Sequence, residues 1–374
     1  MPAVCLRLGE IVGNQRPRDL LARALARDRL SPALLFHGPE GIGKLTTGRA
    51  VAARLNCHRP ADGDACGTCV PCSKIAAWNH PDVKVLESEA DAARSGRPVF
   101  FPDSQVSGRA AARRSERLLI GQVRSLLREI DFRPFEGRWR VILVRNLESD
   151  PSLGCANTLL KALEEPPATT LFLLTSSRPE RLPSTIRSRC QTLAFQPASR
   201  GEVAAFLENQ GVPRQEAILR AALSGGCPGT ALNLDAEGGL RQRDAVLGAL
   251  AVAGEGDPVL ALAAADELLP TAPELPGLLA CLATVIRDLM VIADDHGGEI
   301  LVNIDRREEL ERLAGLIPQA RAAALLDRVS WCERALERHV NAGLMLQTLL
   351  LEAGGLLPAA PLAAPWLDED TSGP

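Results

Sequence analysis

Residues 33 to 48 read ALLFHGPEGIGKLTTG. The apolar run Ala33 to Phe36 ends in a glycine-rich turn, and a stretch from Lys44 to Leu55 follows with Ala50, Val51 and Leu55 on one helical face. Strand, tight turn and helix is the context in which backbone N–H groups and a helix N-terminus converge on phosphate oxygens. Two further apolar runs, VILV at 141–144 and LFLL at 171–174, read as buried parallel strands. Between them, residues 157–165 read as a short helix that Pro166-Pro167 stops. Strands separated by helices predict a doubly wound α/β domain.

In the turn, Gly38, Gly41 and Gly43 permit the backbone path of a phosphate loop, and Lys44 would bring a point charge to terminal phosphates. The hydroxyl that follows the lysine in such loops holds Mg²⁺, and here that residue is Leu45. Thr46 is rotated about 100° further round the helix and is a poor substitute. The second strand should be followed by acids that bind the metal and activate water. It is followed by Arg145-Asn146, and Glu148 lies too far along. Two independent parts of a hydrolytic site are missing, which argues against intrinsic ATP hydrolysis. Binding of ATP or ADP at Gly38, Gly41, Gly43 and Lys44 stays open.

With 374 residues, 46% of them hydrophobic, the chain is long enough for two or three cored domains. A net charge of −4 excludes a globally basic nucleic-acid coat, and 3% aromatic residues give no sign of a base-stacking platform. No apolar run reaches the roughly 18 residues that span a bilayer. The N-terminus has no signal-peptide pattern, so the expected location is cytoplasmic. The ten cysteines are then expected to be thiols or metal ligands.

Four of them, Cys57, Cys66, Cys69 and Cys72, form a C-x8-C-x2-C-x2-C pattern. Overlapping C-x2-C turns suit tetrahedral Zn²⁺, with Cys57 folding back as the fourth ligand and His58 as a substitute. An iron–sulfur cluster is the rival. A closed four-thiolate site points to a structural role. Cys5, Cys155, Cys190, Cys227, Cys281 and Cys332 are scattered, as small core residues are.

Residues 88–117 are polar and aperiodic and read as a mobile insertion. Its arginines (Arg94, Arg97, Arg109, Arg113, Arg114, Arg117) outnumber its four acids. Beyond about 196, helical segments at 202–210, 214–223 and 230–234 suggest a small domain. From 240 the chain is Ala/Leu-rich and helical, notably at 274–293, 307–316, 318–340 and 344–353. The tail from 358 reads as disordered.

GPEGIGK, the four-cysteine insert, NTLLKALEEPP, TSSRPERLPSTIRSRC and LSGGCPGTAL occur here in one order. Together they resemble bacterial clamp-loader subunits of the AAA+ class, over most of residues 1–355. The resemblance implies an α/β AAA+ P-loop domain at 1–195, a helical lid at 196–236 and an all-α collar domain at 240–355. The gamma/tau motor of that family carries an intact phosphate loop, an Asp-Glu pair and a sensor arginine in the lid. Here Leu45, Arg145-Asn146 and Gly229 stand instead, which points to a non-hydrolysing member. Ser176 and Ser177 match the family's polar sensor positions. Arg189, in Ser188-Arg189-Cys190, matches its arginine finger, which would reach the ATP site of a neighbouring gamma/tau subunit. The implied partners are gamma/tau and delta in a hetero-pentamer, with the sliding clamp and primed DNA reached through the assembly. Two other readings are a gamma/tau-like ATPase motor and a zinc-containing nucleic-acid-binding module.

Overall fold

The computed structural model describes residues 6–97, 115, 117–130, 132–150, 152–234, 239–271, 275–293, 301–335 and 340–358. Cys5, most of the polar insertion (98–114 and 116) and the tail beyond 358 lie outside the described residues. The chain divides into two compact units, Met1–Ala217 with Ser224–Ala231, and Ile218–Leu223 with Leu232–Pro374.

The first unit is built on five parallel strands: β1 (Ala33–His37), β2 (Val83–Leu86), β3 (Arg140–Arg145), β4 (Thr170–Ser176) and β5 (Gln191–Ala194). Their order is β2-β3-β4-β1-β5. Its helices are α1 (Gln15–Ala26), α2 (Lys44–Asn56), α3 (Val70–Ala76), α4 (Glu89–Ser95), α5 (Ile120–Ile130), α6 (Gly154–Glu164), α7 (Ser184–Arg187) and α8 (Arg200–Asn209). α9 (Arg214–Leu223) and α10 (Pro228–Asn233) follow.

The central strands carry unbroken apolar runs (Ala33–Phe36, Val141–Val144 and Leu171–Leu174) because both faces of the sheet are covered there. Alternate residues serve two cores. Leu34, Phe36, Val141, Leu143, Leu171 and Leu173 pack with Ala50, Val51 and Ala53 of α2. Ala33, Leu35, Ile142, Val144, Phe172 and Leu174 pack with Val123 and Leu126 of α5 and Leu159 and Leu163 of α6. α2 seats directly on β3 because residue 48 is glycine: a Cβ there would lie 2.4 Å from Leu143 Cδ2.

Two local readings are corrected. α6 begins at Gly154, earlier than expected from residue 157, because the Asp150 carboxylate accepts the N–H of Cys155 at 2.8 Å and supports the first turn. Residues 89–95 form α4 rather than irregular chain. Ser88 caps it by accepting the Asp91 N–H, and Gly96 ends it in the left-handed region.

The second unit contains α11 (Gly239–Gly254), α12 (Pro258–Leu268), α13 (Leu275–Ala293), α14 (Arg307–Leu316), α15 (Gln319–Ala335) and α16 (Ala342–Ala353). They share one apolar core that includes Leu250, Leu279, Ile286, Leu310, Leu325 and Leu346. Asp288, fully buried on α13, accepts the N–H groups of Val302 and Asn303 and so pins the segment that leads into α14. No described helix is long and apolar enough to cross a membrane.

Candidate functional site

The glycine-rich turn joins β1 to α2. Gly38, Gly41 and Gly43 all have positive φ, at 144°, 72° and 103°, a path that side-chain-bearing residues adopt at a cost. Lys44 is the first residue of α2 and is buried. Its ammonium donates to the carbonyls of Gly38 at 2.5 Å and Pro39 at 2.7 Å. The charge that would meet phosphate is thus folded back on its own loop. Burial lowers the Lys44 pKa, and Glu40 and Glu148 oppose that shift. Leu45 packs against the apolar core, so the side chain in the metal-binding hydroxyl position serves packing instead.

Thr230 and Gly229 of α10 close over the loop. The Gly229 N–H donates to Gly41 O at 2.8 Å, and Thr230 Oγ1 reaches the carbonyl of Glu40 at 3.5 Å. A Cβ on Gly41 would fall 2.2 Å from Thr230 Oγ1, and one on Gly229 would fall 2.9 Å from Gly41 O. Cys227, beside this contact, is buried, and burial raises its pKa while Lys44 opposes the rise.

At the end of β3, Arg145 holds the place of the expected acid. The register pairs Leu86 with Val144, so Glu87, just past β2, and Arg145, the last residue of β3, come out side by side. Arg145 NH1 donates to Glu87 Oε2 at 2.6 Å, and Arg97 grips the same buried carboxylate through Nε and NH2, both at 2.7 Å. Glu87 was not singled out from the sequence. The available signal is that Val83–Leu86 and Val141–Val144 are each followed by a charge, Glu87 and Arg145, of opposite sign. Glu148 is engaged by backbone: its Oε1 accepts the N–H of Ser177 at 2.8 Å and the N–H of Arg178 at 3.3 Å. Ser176 is buried, and its hydroxyl accepts the Arg178 N–H at 3.0 Å.

The sulfurs of Cys57, Cys66, Cys69 and Cys72 all lie within 4.8 Å of one another, and His58 is not among the group. Cys57 is the residue after α2, Cys69 precedes α3, and Cys72 lies on α3. The Cys57 and Cys69 sulfurs are 3.8 Å apart. A tetrahedron with metal–sulfur bonds of about 2.3 Å has edges of about 3.8 Å, so the donor set fits Zn²⁺. N–H groups stabilise the sulfurs: Cys66 N–H reaches Cys57 Sγ at 3.3 Å and Cys69 N–H reaches Cys66 Sγ at 3.4 Å. The N–H groups of Thr68 and Cys69 hold the Cys66 thiol down to about 5, whereas burial pushes Cys72 up. Of the other cysteines, Cys155, Cys190, Cys227 and Cys332 are buried and Cys281 is half-buried.

Arg189 lies between α7 and β5, with its side chain 31% exposed. Its Nε donates to Glu164 Oε1 at 2.6 Å, its NH2 also contacts that oxygen, and NH1 donates to the carbonyl of Thr185 at 2.8 Å. Nothing in the spacing from 164 to 189 announces this pairing.

The chain is similar to known proteins along most of its length. The family profile described as "DNA polymerase III, delta subunit" matches residues 13–199, and "DNA polymerase III, delta subunit, C terminal" matches 237–354. The chain is 32% identical over 326 residues to the DNA polymerase III subunit delta' of Pseudomonas aeruginosa, covering 86% of this chain and 89% of that protein. It is 29% identical over 343 residues to the Escherichia coli subunit delta', covering 90% and 92%. The tau subunit of Salmonella typhimurium is 33% identical over 181 residues, covering 48% of this chain but 24% of that protein. The first unit is an α/β domain of five parallel strands with flanking helices, and a helical C-terminal region follows it in the chain. The delta' relatives match along most of both chains, and the chain belongs to the DNA polymerase III delta' family.

Proposed function

We propose that this chain is a non-hydrolysing subunit of a DNA polymerase III clamp loader. In that role it would lend Arg189 to the ATP site of a neighbouring gamma/tau subunit. The observation that carries the reading is the Arg145–Glu87 pair at 2.6 Å, where a hydrolytic site needs a metal-binding acid. A cation held in that place repels Mg²⁺, and Leu45 offers no hydroxyl to it. The same pair disfavours the motor reading. Lys44 bound to Gly38 and Pro39 supports a phosphate loop that works as a structural turn.

The half-exposed guanidinium of Arg189 is suited to stabilise negative charge that develops on a phosphoryl group in trans. The partners in this reading are gamma/tau and delta, with the sliding clamp and primed DNA reached through the assembly, in the cytoplasm. Residues 1–195 and 196–236 would form the AAA+ module and 240–355 the collar. Cys57, Cys66, Cys69 and Cys72 would hold Zn²⁺ as a structural tie between the end of α2 and the start of α3.

The test is ATP turnover by the chain alone and after reconstitution with gamma/tau, delta, clamp and primed DNA, for wild type and Arg189→Ala. The expected result is no turnover alone, and a fall on the order of 10³-fold at the neighbouring site in the variant, with assembly intact. Turnover by the pure isolated chain, abolished by Lys44→Ala, would overturn the reading.

A further inference from the structure

The LEEPP segment has no role in the function so far, yet its first glutamate touches the arginine on which that function depends. We propose that Glu164 is a positioning residue for Arg189, an inference that rests on the reading of Arg189 as an arginine acting in trans.

Glu164 is the last residue of α6. Pro166 and Pro167 cannot extend the helix, so its final turn is fixed at this point. A carboxylate in a last helical turn faces the negative end of the helix dipole and is unfavourable there by itself. Arg189 offsets that cost. It follows α7, which packs against α6, and it brings its guanidinium onto Glu164 from a site 25 residues further along the chain.

The contacts leave a defined edge open. Glu164 Oε1 takes the Nε edge, through Nε and NH2, and Thr185 O takes one NH1 hydrogen. Among the described residues these are the partners of the guanidinium. One hydrogen on each terminal nitrogen is left over to donate to anionic oxygens. The ion pair is half-exposed, with side chains 31% and 46% accessible. A pair of that exposure adds little to stability. Its effect is on direction: a long side chain held on one edge has already given up the rotamer freedom that a free arginine would lose on meeting phosphate.

The experiment uses the full reconstituted assembly with Glu164→Ala, the near-isosteric Glu164→Gln, Arg189→Ala, and the double variant Glu164→Ala/Arg189→Ala. Turnover, KM for ATP and assembly by size-exclusion chromatography are measured for each. Glu164→Ala is expected to lower kcat by roughly 10- to 100-fold, with KM and assembly unchanged, since small misplacement of a catalytic group has effects of that order. Glu164→Gln, which keeps an acceptor oxygen, is expected to fall between wild type and Glu164→Ala. The double variant is expected to be no slower than Arg189→Ala, because a residue that acts through Arg189 has nothing to position once it is gone. If Arg189→Ala is costly while Glu164→Ala is silent, faster, or additive with it, the positioning role is overturned and the trans arginine stands. If Arg189→Ala leaves turnover unchanged, the trans reading falls and this inference falls with it.

Discussion

Gly229 donates its N–H to the carbonyl of Gly41 at 2.8 Å, so the start of α10 is part of the glycine-rich turn's support. The two glycines approach closely enough that neither tolerates a side chain without movement. A Cβ on Gly229 would sit 2.9 Å from Gly41 O, and the φ of Gly41 is already +72°.

An arginine at position 229 should therefore harm the protein. Gly229→Arg is expected to destabilise the first unit by about 1–3 kcal/mol, the usual cost of overpacking, without creating affinity for nucleotide. Urea denaturation and titration with a fluorescent ATP analogue check both parts. A variant as stable as wild type that binds the analogue would show that α10 yields easily.

Restoring the acid at the end of β3 should also fail. Arg145→Asp places a carboxylate beside Glu87, whose side chain is 2% exposed and would keep only Arg97. Removing one partner of a buried pair costs about 3–5 kcal/mol, and the exposure of Arg145 at 18% argues for the lower end. The double change Arg145→Met/Glu87→Gln should be milder than Arg145→Asp. Chemical denaturation of the three proteins decides it, and equal losses would mean that the pairing matters little.

Metal removal should be visible without any activity assay. Zinc released by a strong chelator or by acid is expected in a ratio of about one per chain, because thiolate ligands must be protonated to let it go. Cys57→Ser, which removes a ligand beside the end of α2, should lower the metal content and the Tm together. Elemental analysis that finds iron, or no metal, in protein purified without chelators would exclude zinc at this site.

Acid should weaken the fold through Asp82. Burial raises the pKa of this carboxyl, but the N–H groups of Glu136, Gly137 and Phe135, at 2.9, 2.7 and 2.6 Å, outweigh it and hold the value below the ordinary range. A carboxyl with a depressed folded pKa contributes stability that is fully present well above its unfolded value of about 3.9 and is lost as pH falls through the folded value. His80, lowered by burial, adds an earlier loss as pH falls below about 6.5. Asp82→Asn should be less stable than wild type at neutral pH, with the two Tm curves converging below about pH 4. Parallel curves would show that this carboxylate does not govern acid stability.

Much of the protein was legible in its sequence. Apolar runs at 33–36, 141–144 and 171–174 are strands because hydrophobicity on both faces requires a covered sheet. The close C-x2-C spacings place three sulfurs together by local geometry alone, and Cys57 joins them from the end of the preceding helix. Leu45 and Arg145 argued against hydrolysis because chemistry at a metal site depends on residue type at fixed positions. Other features needed the tertiary structure, since they join residues that the chain keeps far apart. Glu87 meets Arg145 through strand register, Gly229 meets Gly41 through the return of α10 to the loop, and Glu164 meets Arg189 through the packing of α6 on α7. Spacing in a sequence encodes short-range geometry. A charge pair or a close backbone approach between distant segments is decided only when packing brings them within a few ångströms.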